Sequence, residues 1–360
     1  MQNRRQFLKS SAAGLGLATL SFPNLFACNQ DRKLGVALVG LGYYSTQVLA
    51  PALQMTEHCE LRGIVTGSPE KIPVWQEEYG IKDQNVYNYD NLSEVADNDE
   101  IDIIYIVLPT ALHAQYSIIA ANAGKHVWCE KPMEISAKAC QSIIDACRKN
   151  KVKLSIGYRM QHEPNTQEII RYGQQKPYGE IRKLSAEAGY FDGRSDHWKQ
   201  KKAMGGGAMY DMGVYPLNAL RYATSLEPVM VRSAKHSTNR PEIYTEVDET
   251  TSFELEFPGG IIGSGKTSLG MSMNTLRVDC EKAWYELSPF QAYSGIKGQT
   301  SDGKKLNLSV PNQQARQMDD DALAIINDTE VMVPGEEGMR DIVIVQAIYE
   351  AAAKGTSVKL

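Results

Sequence analysis

The stretch that decides the fold runs from Leu34 to Ser45 and reads LGVALVGLGYYS. Its first six residues form a short apolar run, which is typical of a buried strand in a parallel sheet. Gly40 and Gly42 follow that run, and an apolar helical pattern comes next. Glycines at this point let the backbone turn sharply and approach a pyrophosphate, which then lies at the helix N-terminus. The stretch therefore predicts a dinucleotide-binding turn in which Ser45 takes the place of the third glycine.

The alternation of apolar runs and helical patterns continues as far as residue 157. We expect strands over residues 61–66, 101–108, 126–129 and 152–157, and helices over residues 114–122 and 137–149. Strands that alternate with helices predict a doubly wound parallel sheet, in which ligands lie beyond the carboxyl ends of the strands.

The residues at those strand ends are the candidate cofactor-binding residues. They are Gly40, Gly42, Tyr43, Tyr44, Thr66, Ser68, Lys71, Leu108, Thr110, His113, Glu130, Lys131 and Arg159. His113 has two interpretations, since it either touches the cofactor or simply starts a helix.

The end of the second strand carries the information on cofactor choice. An acidic residue normally stands there and accepts a hydrogen bond from the ribose of NAD. The sequence instead reads TGSPEK over residues 66–71, and its small hydroxyl residues with Lys71 fit a 2′-phosphate. We therefore expect NADP rather than NAD. Ser68 followed by Pro69 also fits an ordinary helix cap, and both interpretations can hold together.

Beyond Arg159 the pattern changes to longer alternating segments. These cover residues 181–191, 229–237, 250–257 and 261–269. Consecutive strands of period two with short turns predict a largely antiparallel sheet, and one covered face would leave the other free for partners.

A glycine triplet interrupts these strands. Gly205, Gly206 and Gly207 precede a helical pattern that contains Asp211 and Tyr215. The glycines permit the backbone to approach a ligand closely. A spacing of four places the aspartate and the tyrosine on one helix face.

Together these motifs resemble one family. Gly40-x-Gly42, Glu130-Lys131-Pro132, Gly157-Tyr158-Arg159 and the glycine triplet with Asp211 and Tyr215 are similar to the glucose–fructose oxidoreductase/inositol dehydrogenase (Gfo/Idh/MocA) family, and most similar to its glucose–fructose oxidoreductase branch. The similarity runs from about Leu34 to the C-terminus.

The resemblance implies an α/β fold with two domains. A Rossmann NADP-binding domain would cover residues 31–157. An α+β substrate and oligomerisation domain with a large, mostly antiparallel open sheet would cover residues 158–360. It also implies a homo-oligomer formed through that sheet, and a dinucleotide that lies between the domains and takes hydride from a sugar or polyol carbon.

The residue types fit this chemistry, because a hydroxyl must lose its proton while its carbon loses hydride. Tyr215 is the candidate acid/base, and Lys131 is the cation that stabilises the developing alkoxide. Asp211 would orient the sugar hydroxyls, Arg159 would face the cofactor or substrate, and Trp198 would wall the sugar site. Taken singly, the same residues also fit a core tyrosine, a surface lysine, a helix-terminal aspartate and a packing tryptophan.

Composition excludes several other classes of protein. The 38 basic and 43 acidic residues give a net charge of −5, which speaks against a nucleic-acid binder. No apolar run is long enough for a spanning helix. The six cysteines lack the paired spacing of metal sites, so no metal is expected. Cys129, Cys140, Cys147 and Cys280 are expected to be buried thiols, with disulfides left open.

The first 30 residues are expected to be a targeting signal. A charged segment with Arg4 and Arg5 precedes a weakly apolar stretch, which resembles a twin-arginine export signal. Leu25-Phe26-Ala27-Cys28 then resembles a lipoprotein cleavage box with Cys28 as the lipidated residue. The alternatives are a frayed amphipathic N-terminus, or cleavage without lipid. We expect a periplasmic protein, with a possible membrane anchor at Cys28.

Export in the folded state would carry the cofactor along, so the cofactor would have to be recycled in place. This predicts ping-pong kinetics, in which one sugar is oxidised and a second sugar or carbonyl is reduced. Two alternatives remain: an NAD-dependent glycosidase of the same family, and a non-catalytic sugar-binding lipoprotein.

Overall fold

A six-stranded parallel sheet forms the first half of the molecule, whose computed structural model describes residues 32–360. The predicted export signal and Cys28 lie outside the described residues. The strands are β1 Leu34–Val39, β2 Cys59–Val65, β3 Val86–Tyr87, β4 Ile103–Ile106, β5 His126–Cys129 and β6 Leu154–Ile156. The helices are α1 Ala50–Leu53, preceded by a π turn at Ser45–Leu49, α2 Ile72–Tyr79, α3 His113–Asn122 and α4 Ala137–Asn150.

The strand order is β3-β2-β1-β4-β5-β6, which is the doubly wound order of dinucleotide-binding sheets. Residues 36–39 of β1 are fully buried, as the apolar run predicts. β4 is shorter than the predicted segment 101–108. It pairs with β1 only over Ile103–Ile106, and β1 ends where Gly40 turns the chain away at a φ of +92°.

The second half of the molecule is built on a nine-stranded sheet. Its strands are β7 Ile181–Phe191, β8 Met230–Ser237, β9 Thr250–Phe257, β10 Ile261–Ser268, β11 Gly270–Cys280, β12 Trp284–Leu287, β13 Gly298–Thr300, β14 Lys305–Leu306 and β15 Val358–Lys359. The order is β14-β13-β12-β11-β7-β10-β9-β8-β15. Only β7 and β10 pair in parallel among these described strands, so the predicted fold class is confirmed.

Helices cover one face of this sheet. They are α5 Pro164–Gln175, α6 Val214–Thr224 and α8 Gly335–Lys354. Alternate residues of β9, such as Phe253 and Leu255, are buried in the core, whereas Ser252 and Glu254 are exposed. The other face is therefore polar and open, as period-two strands predict.

Helix α7, Gln313–Ile326, returns from the second half of the chain to the first sheet. Its buried Met318 and Ala322 belong to the same apolar cluster as Leu38 and Trp128. The Asp319 carboxylate accepts backbone hydrogen bonds from residues 57 and 58 of the loop before β2. Part of the predicted 158–360 domain thus completes the core of the dinucleotide-binding half.

Short 3₁₀ turns connect many of these elements. They cover Pro69–Lys71, Asp83–Asn85, Leu92–Asp97, Thr110–Leu112, Arg159–His162, Trp198–Gln200, Lys202–Met204 and Pro258–Gly260. Within residues 32–360 no helix is long and apolar enough to cross a membrane.

The described cysteines are thiols. Cys129, Cys140 and Cys147 are buried in the core, in agreement with the expectation, whereas Cys280 is only half-buried. Cys59 is buried as well.

Candidate active site

The carboxyl ends of the parallel strands bring the candidate cofactor residues to one edge of the first sheet. Gly40 has a left-handed backbone, and a Cβ there would lie 2.5 Å from the Val107 carbonyl oxygen. Gly42 faces open space, since a Cβ at that position would meet nothing within 4 Å. Ser45 is fully buried and its hydroxyl donates to the Gly40 carbonyl at 2.5 Å. The turn is therefore tight on its inner side and has room for a ligand on its outer side.

The segment after β2 lies against this turn. Thr66 is buried, and its hydroxyl oxygen accepts a hydrogen bond from the Ser68 backbone N–H at 3.0 Å. Ser68 is the N-cap of the 3₁₀ turn and Pro69 is the first residue of that turn, as the capping interpretation predicts, but the Ser68 side chain makes no capping hydrogen bond. Lys71 Nζ donates to the Leu41 carbonyl at 2.8 Å, which places its ammonium group beside the glycine turn.

His113 has a structural role. It is 1% exposed and starts α3. Its Nε2 lies 2.8 Å from the Leu108 carbonyl oxygen and its Nδ1 lies 3.0 Å from the Pro132 carbonyl oxygen. Burial lowers the pKa of His113 more than these carbonyl contacts raise it. Each ring nitrogen faces a backbone carbonyl oxygen, and the neutral ring can donate from one of them, so His113 links the loops that carry Leu108 and Pro132. Its contact with a cofactor stays a prediction.

Glu130 and Lys131 follow β5 directly. The Glu130 carboxylate is buried and accepts a hydrogen bond from the Tyr105 hydroxyl at 2.7 Å, and burial raises its pKa. Lys131 Nζ donates to the Asp211 backbone carbonyl at 3.0 Å and lies 4.4 Å from the centre of the Tyr215 ring. Burial lowers the pKa of Lys131, but Tyr215, Asp211 and Glu130 together raise it by more than burial lowers it. The net shift is upward, so the ammonium group stays charged.

A π turn over Met209–Gly213 leads into α6 and carries Asp211. In a π turn the carbonyl of Asp211 would accept from the backbone N–H five residues later, which is position 216. Pro216 has no N–H to donate. The Asp211 carbonyl therefore cannot receive this backbone hydrogen bond. Because Pro216 leaves the carbonyl without it, the oxygen is available as the acceptor for Lys131.

The carboxylate of Asp211 is held by two residues that the sequence analysis did not assign. Lys199 Nζ lies 2.7 Å from its Oδ1, and the Tyr190 hydroxyl donates to its Oδ2 at 2.8 Å. Lys199 also donates to the Tyr190 oxygen at 3.2 Å. Burial raises the pKa of Asp211, but Lys199 and Lys131 lower it by more, so the net shift is downward and the carboxylate stays ionised.

The only sequence signals for this pair were the end of a predicted strand and a basic stretch after Trp198. Trp198 itself is half-buried, and the Lys199 ammonium lies 5.9 Å from its ring centre. It therefore stands beside the Lys199–Asp211 pair, and its role as a wall of the sugar site stays a prediction.

The glycine triplet packs against protein, which corrects the expectation that it approaches a ligand. A Cβ on Gly206 would lie 2.4 Å from the Lys199 carbonyl oxygen, and one on Gly207 would lie 2.3 Å from Asp248 Oδ1. A Cβ on Gly205 would lie 2.7 Å from Cβ of Thr110, which is itself 1% exposed. The triplet thus fixes the segment that carries Lys199, and Thr110 is a packing residue in this structure.

Arg159 lies at the centre of an aromatic cluster. It is 2% exposed, and its guanidinium carbon lies 5.6 Å from the Tyr215 ring centre and 4.9 Å from that of Tyr293. Its Nη1 donates to the Gln313 side chain at 3.2 Å, but its Nε has no hydrogen-bond partner within the part of the chain that the structure describes. Tyr293 and Gln313 come from distant segments, and no motif predicts them.

These residues fit a bound dinucleotide. The outer side of the glycine turn is open, and a buried guanidinium with an unused N–H lies nearby, which suits an anionic group. Tyr43 is 73% exposed beside the turn, whereas Tyr44 is half-buried. Within residues 32–360 no group of three His, Cys, Asp or Glu side chains is arranged to hold a metal ion.

Comparison with known proteins agrees with this geometry. Residues 34–158 match the family model described as an oxidoreductase family with an NAD-binding Rossmann fold. Residues 166–286 match the model of the GFO/IDH/MocA C-terminal domain.

Individual relatives cover nearly the whole chain. The crystal structure of aldose–aldose oxidoreductase from Caulobacter crescentus, complexed with glycerol, has a TM-score of 0.88 and 36% identity over 91% of this chain and 100% of its own. D-xylose 1-dehydrogenase [NADP(+)] from Haloarcula marismortui is 28% identical over 92% of this chain and 94% of its own. D-glucoside 3-dehydrogenase from Escherichia coli is 24% identical over 91% of this chain and 97% of its own. The chain therefore belongs to the Gfo/Idh/MocA family of NAD(P)-dependent oxidoreductases.

Proposed function

We propose that the protein oxidises a hydroxyl-bearing carbon of a sugar or polyol, with NADP as the hydride acceptor. The observation that carries this proposal is the contact of Lys131, at the carboxyl end of β5, with both Asp211 and Tyr215. The relatives named for aldose, xylose and glucoside substrates support a sugar as the substrate class.

The chain's own residues supply the proton chemistry. Tyr215 takes the proton of the reacting hydroxyl, and Lys131 holds a positive charge near the oxygen that becomes negative. Asp211, ionised and fixed by Lys199 and Tyr190, accepts hydrogen bonds from neighbouring sugar hydroxyls. Gly42, Arg159 and Lys71 would hold the dinucleotide. When bound, the dinucleotide would supply the acceptor for the hydride of the substrate carbon, and the hydride donor for a carbonyl in the reverse direction.

The preference for NADP rests on the segment after β2. The residue that follows β2 is Thr66 and not an acid. The Lys71 ammonium group lies beside the glycine turn, where it would stabilise a 2′-phosphate. Relatives named as NADP enzymes support the same choice.

Two further parts of the proposal concern the location of the protein in the cell and the reuse of its cofactor. The twin-arginine pattern supports export to the periplasm, with the cofactor already bound and a possible lipid at Cys28. A retained cofactor requires ping-pong turnover, in which a second sugar or carbonyl is reduced. The relative named aldose–aldose oxidoreductase supports this view. The division at residue 157 and the homo-oligomer through the open sheet belong to the same proposal.

The test is a spectrum of the purified protein near 340 nm before and after addition of single aldoses and polyols. We expect a band to appear with one aldose and to disappear when a second carbonyl compound is added. Lys131→Ala should lower the rate of reduction by roughly 10²- to 10⁴-fold. Lys201→Ala is the matched control, since Lys201 lies on the surface and pairs with Asp196.

Two results would contradict the proposal. Release of nitrophenol from a nitrophenyl glycoside without net reduction of a second substrate would show a glycosidase. Sugar binding without any change near 340 nm, with NADP or NAD supplied, would show a binding protein. Mass spectrometry of the mature N-terminus tests export and lipidation separately.

A further inference from the structure

The loop between β12 and β13, residues 288–297, reaches from the second sheet to the glycine turn of the first. Phe290 and Ile296 anchor it in the core at 0% and 4% exposure. The Asn274 carboxamide oxygen accepts hydrogen bonds from the backbone N–H groups of residues 290 and 291, at 2.9 and 3.0 Å. The loop is therefore fixed at both ends, and the position of its tip is set by the fold.

Tyr293 stands at the tip of this loop. Its ring centre lies 4.9 Å from the guanidinium carbon of Arg159 and 6.0 Å from the ring centre of Tyr44, at an angle of 33° to that ring. Tyr44 comes two residues after Gly42, whose outer side faces open space. Tyr293 thus lies beside the place where the dinucleotide-binding turn has room for a ligand.

Arg159 explains why an aromatic ring is useful there. The guanidinium is 2% exposed and its Nε has no partner among the described residues, so it is a buried cation with an unused donor. Aromatic faces stabilise such a cation, and the effect grows as water is excluded. Tyr293 itself remains 49% exposed, so one part of its ring contacts Arg159 while another part faces solvent.

We propose that Tyr293 is a cofactor-retaining residue, which covers the dinucleotide and keeps Arg159 directed at it. This inference rests on the proposed function, because it assumes that a nicotinamide dinucleotide occupies the cleft. Removing the ring would open the cleft to water beside Arg159 and weaken the hold on an anionic group. The hydroxyl of Tyr293 is not required for either effect.

The test uses the full chain loaded with NADPH, and follows the loss of NADPH fluorescence when excess NADP is added. Tyr293→Ala should speed displacement by about tenfold, in line with the strength of a partly buried cation–π contact. Tyr293→Phe should stay within about twofold of the parent, since the ring is kept. Ser294→Ala, an exposed neighbour in the same loop, is the matched control.

The outcomes separate this inference from the function on which it rests. If the parent binds NADPH and Tyr293→Ala releases it no faster than Ser294→Ala does, Tyr293 does not retain the cofactor and the function stands. A raised KM for the sugar with unchanged NADPH release would place Tyr293 on the substrate and overturn the inference. If the parent binds neither NADPH nor NADH, the proposed function fails as well. Equal melting temperatures of the variants would show that folding is not the cause.

Discussion

At the scale of single residues, the site is a set of charges that the protein keeps ionised despite burial. The Lys131 and Lys199 ammonium groups lie on either side of Asp211, one at its backbone carbonyl and the other at its carboxylate. Lone buried charges are costly, whereas paired ones with full hydrogen bonding are tolerated. The pairing therefore allows a carboxylate whose side chain is only 10% exposed to lie beside two cations.

Lys199 should control the pH range over which Asp211 works. The net pKa of Asp211 lies below its ordinary value, and Lys199 is the strongest of the groups that lower it. Lys199→Met removes that cation while burial remains, so the pKa of Asp211 should rise. Because the charged form is needed, activity should be lost at a higher pH during acidification. We expect the acid limb of kcat/KM to move upward by about one unit.

The control for this change is Lys202→Met, which alters an exposed lysine of the same basic stretch. An acid limb that stays in place in Lys199→Met would show that Asp211 does not need Lys199 to remain charged in the working enzyme.

Lys71 should decide between the two nicotinamide cofactors. Its ammonium lies at the Leu41 carbonyl, beside the glycine turn. Lys71→Asp places a negative charge where a 2′-phosphate is expected and supplies an acceptor for a ribose hydroxyl. The ratio of Kd for NADP to Kd for NAD should therefore rise by roughly tenfold or more, as measured by titration calorimetry. An unchanged ratio would remove Lys71 from the cofactor site.

At the scale of elements, a π turn and three glycines shape the site. The π turn over Met209–Gly213 presents the Asp211 carbonyl, and Pro216 supplies no N–H to compete with Lys131. The glycines let the chain pass within contact distance of the Lys199 backbone. Local irregularities of this kind cost stability, and they are placed where the side chains must meet.

Pro216→Ala should stabilise the helix yet slow the reaction. The new N–H can donate to the Asp211 carbonyl, which adds a backbone hydrogen bond where the π turn passes into α6. The Asp211 carbonyl then has a second donor, which weakens its hydrogen bond to Lys131 and lets the ammonium group shift away from Tyr215. A displacement of this size should lower kcat by about tenfold or more, while the melting temperature stays level or rises.

Pro164→Ala serves as the comparison, because Pro164 is the first residue of α5 and lies where proline is favoured. If kcat of Pro216→Ala equals that of the parent, the proline does not hold Lys131 in place.

At the scale of the whole molecule, helix α7 joins the two halves. It packs on the first sheet and supplies Gln313 to Arg159, so the hydrophobic core and the candidate cofactor site share one element. Asp321 of this helix is fully buried. Burial raises its pKa from 3.8 to about 6, although His162 opposes the shift.

Asp321 should make stability fall as the pH rises. The folded chain keeps the proton of Asp321 up to about pH 6, whereas the unfolded chain releases it near its ordinary pKa of 3.8. The free energy of unfolding should therefore decrease between about pH 4 and pH 6. Asp321→Asn cannot titrate, so relative to the parent it should gain roughly 1–3 kcal/mol more at pH 8 than at pH 4.5.

Urea unfolding at the two pH values measures this difference, with Asp145→Asn as an exposed control. An equal effect of Asp321→Asn at both pH values would mean that Asp321 is ionised in the folded protein throughout.

Much of the architecture follows from the sequence alone. Apolar runs and glycines give the parallel sheet, its turn at Gly40 and Gly42, and the strand ends that carry Lys131 and Arg159. Period-two segments give most of the second sheet. These features are local, since the period of the pattern and the backbone freedom of glycine act over a few neighbouring residues. The family follows from the same motifs, and the comparisons confirm it.

The tertiary structure alone decided which partners meet. Tyr190 and Lys199 reach Asp211, Tyr293 reaches Arg159, and α7 crosses to the first sheet, each across a long separation in sequence. His113 had two interpretations in the sequence, and the fold shows that it starts α3 with both ring nitrogens facing backbone carbonyl groups. Periodicity specifies the face on which a residue lies, whereas its partner across the molecule depends on how the sheets and helices pack.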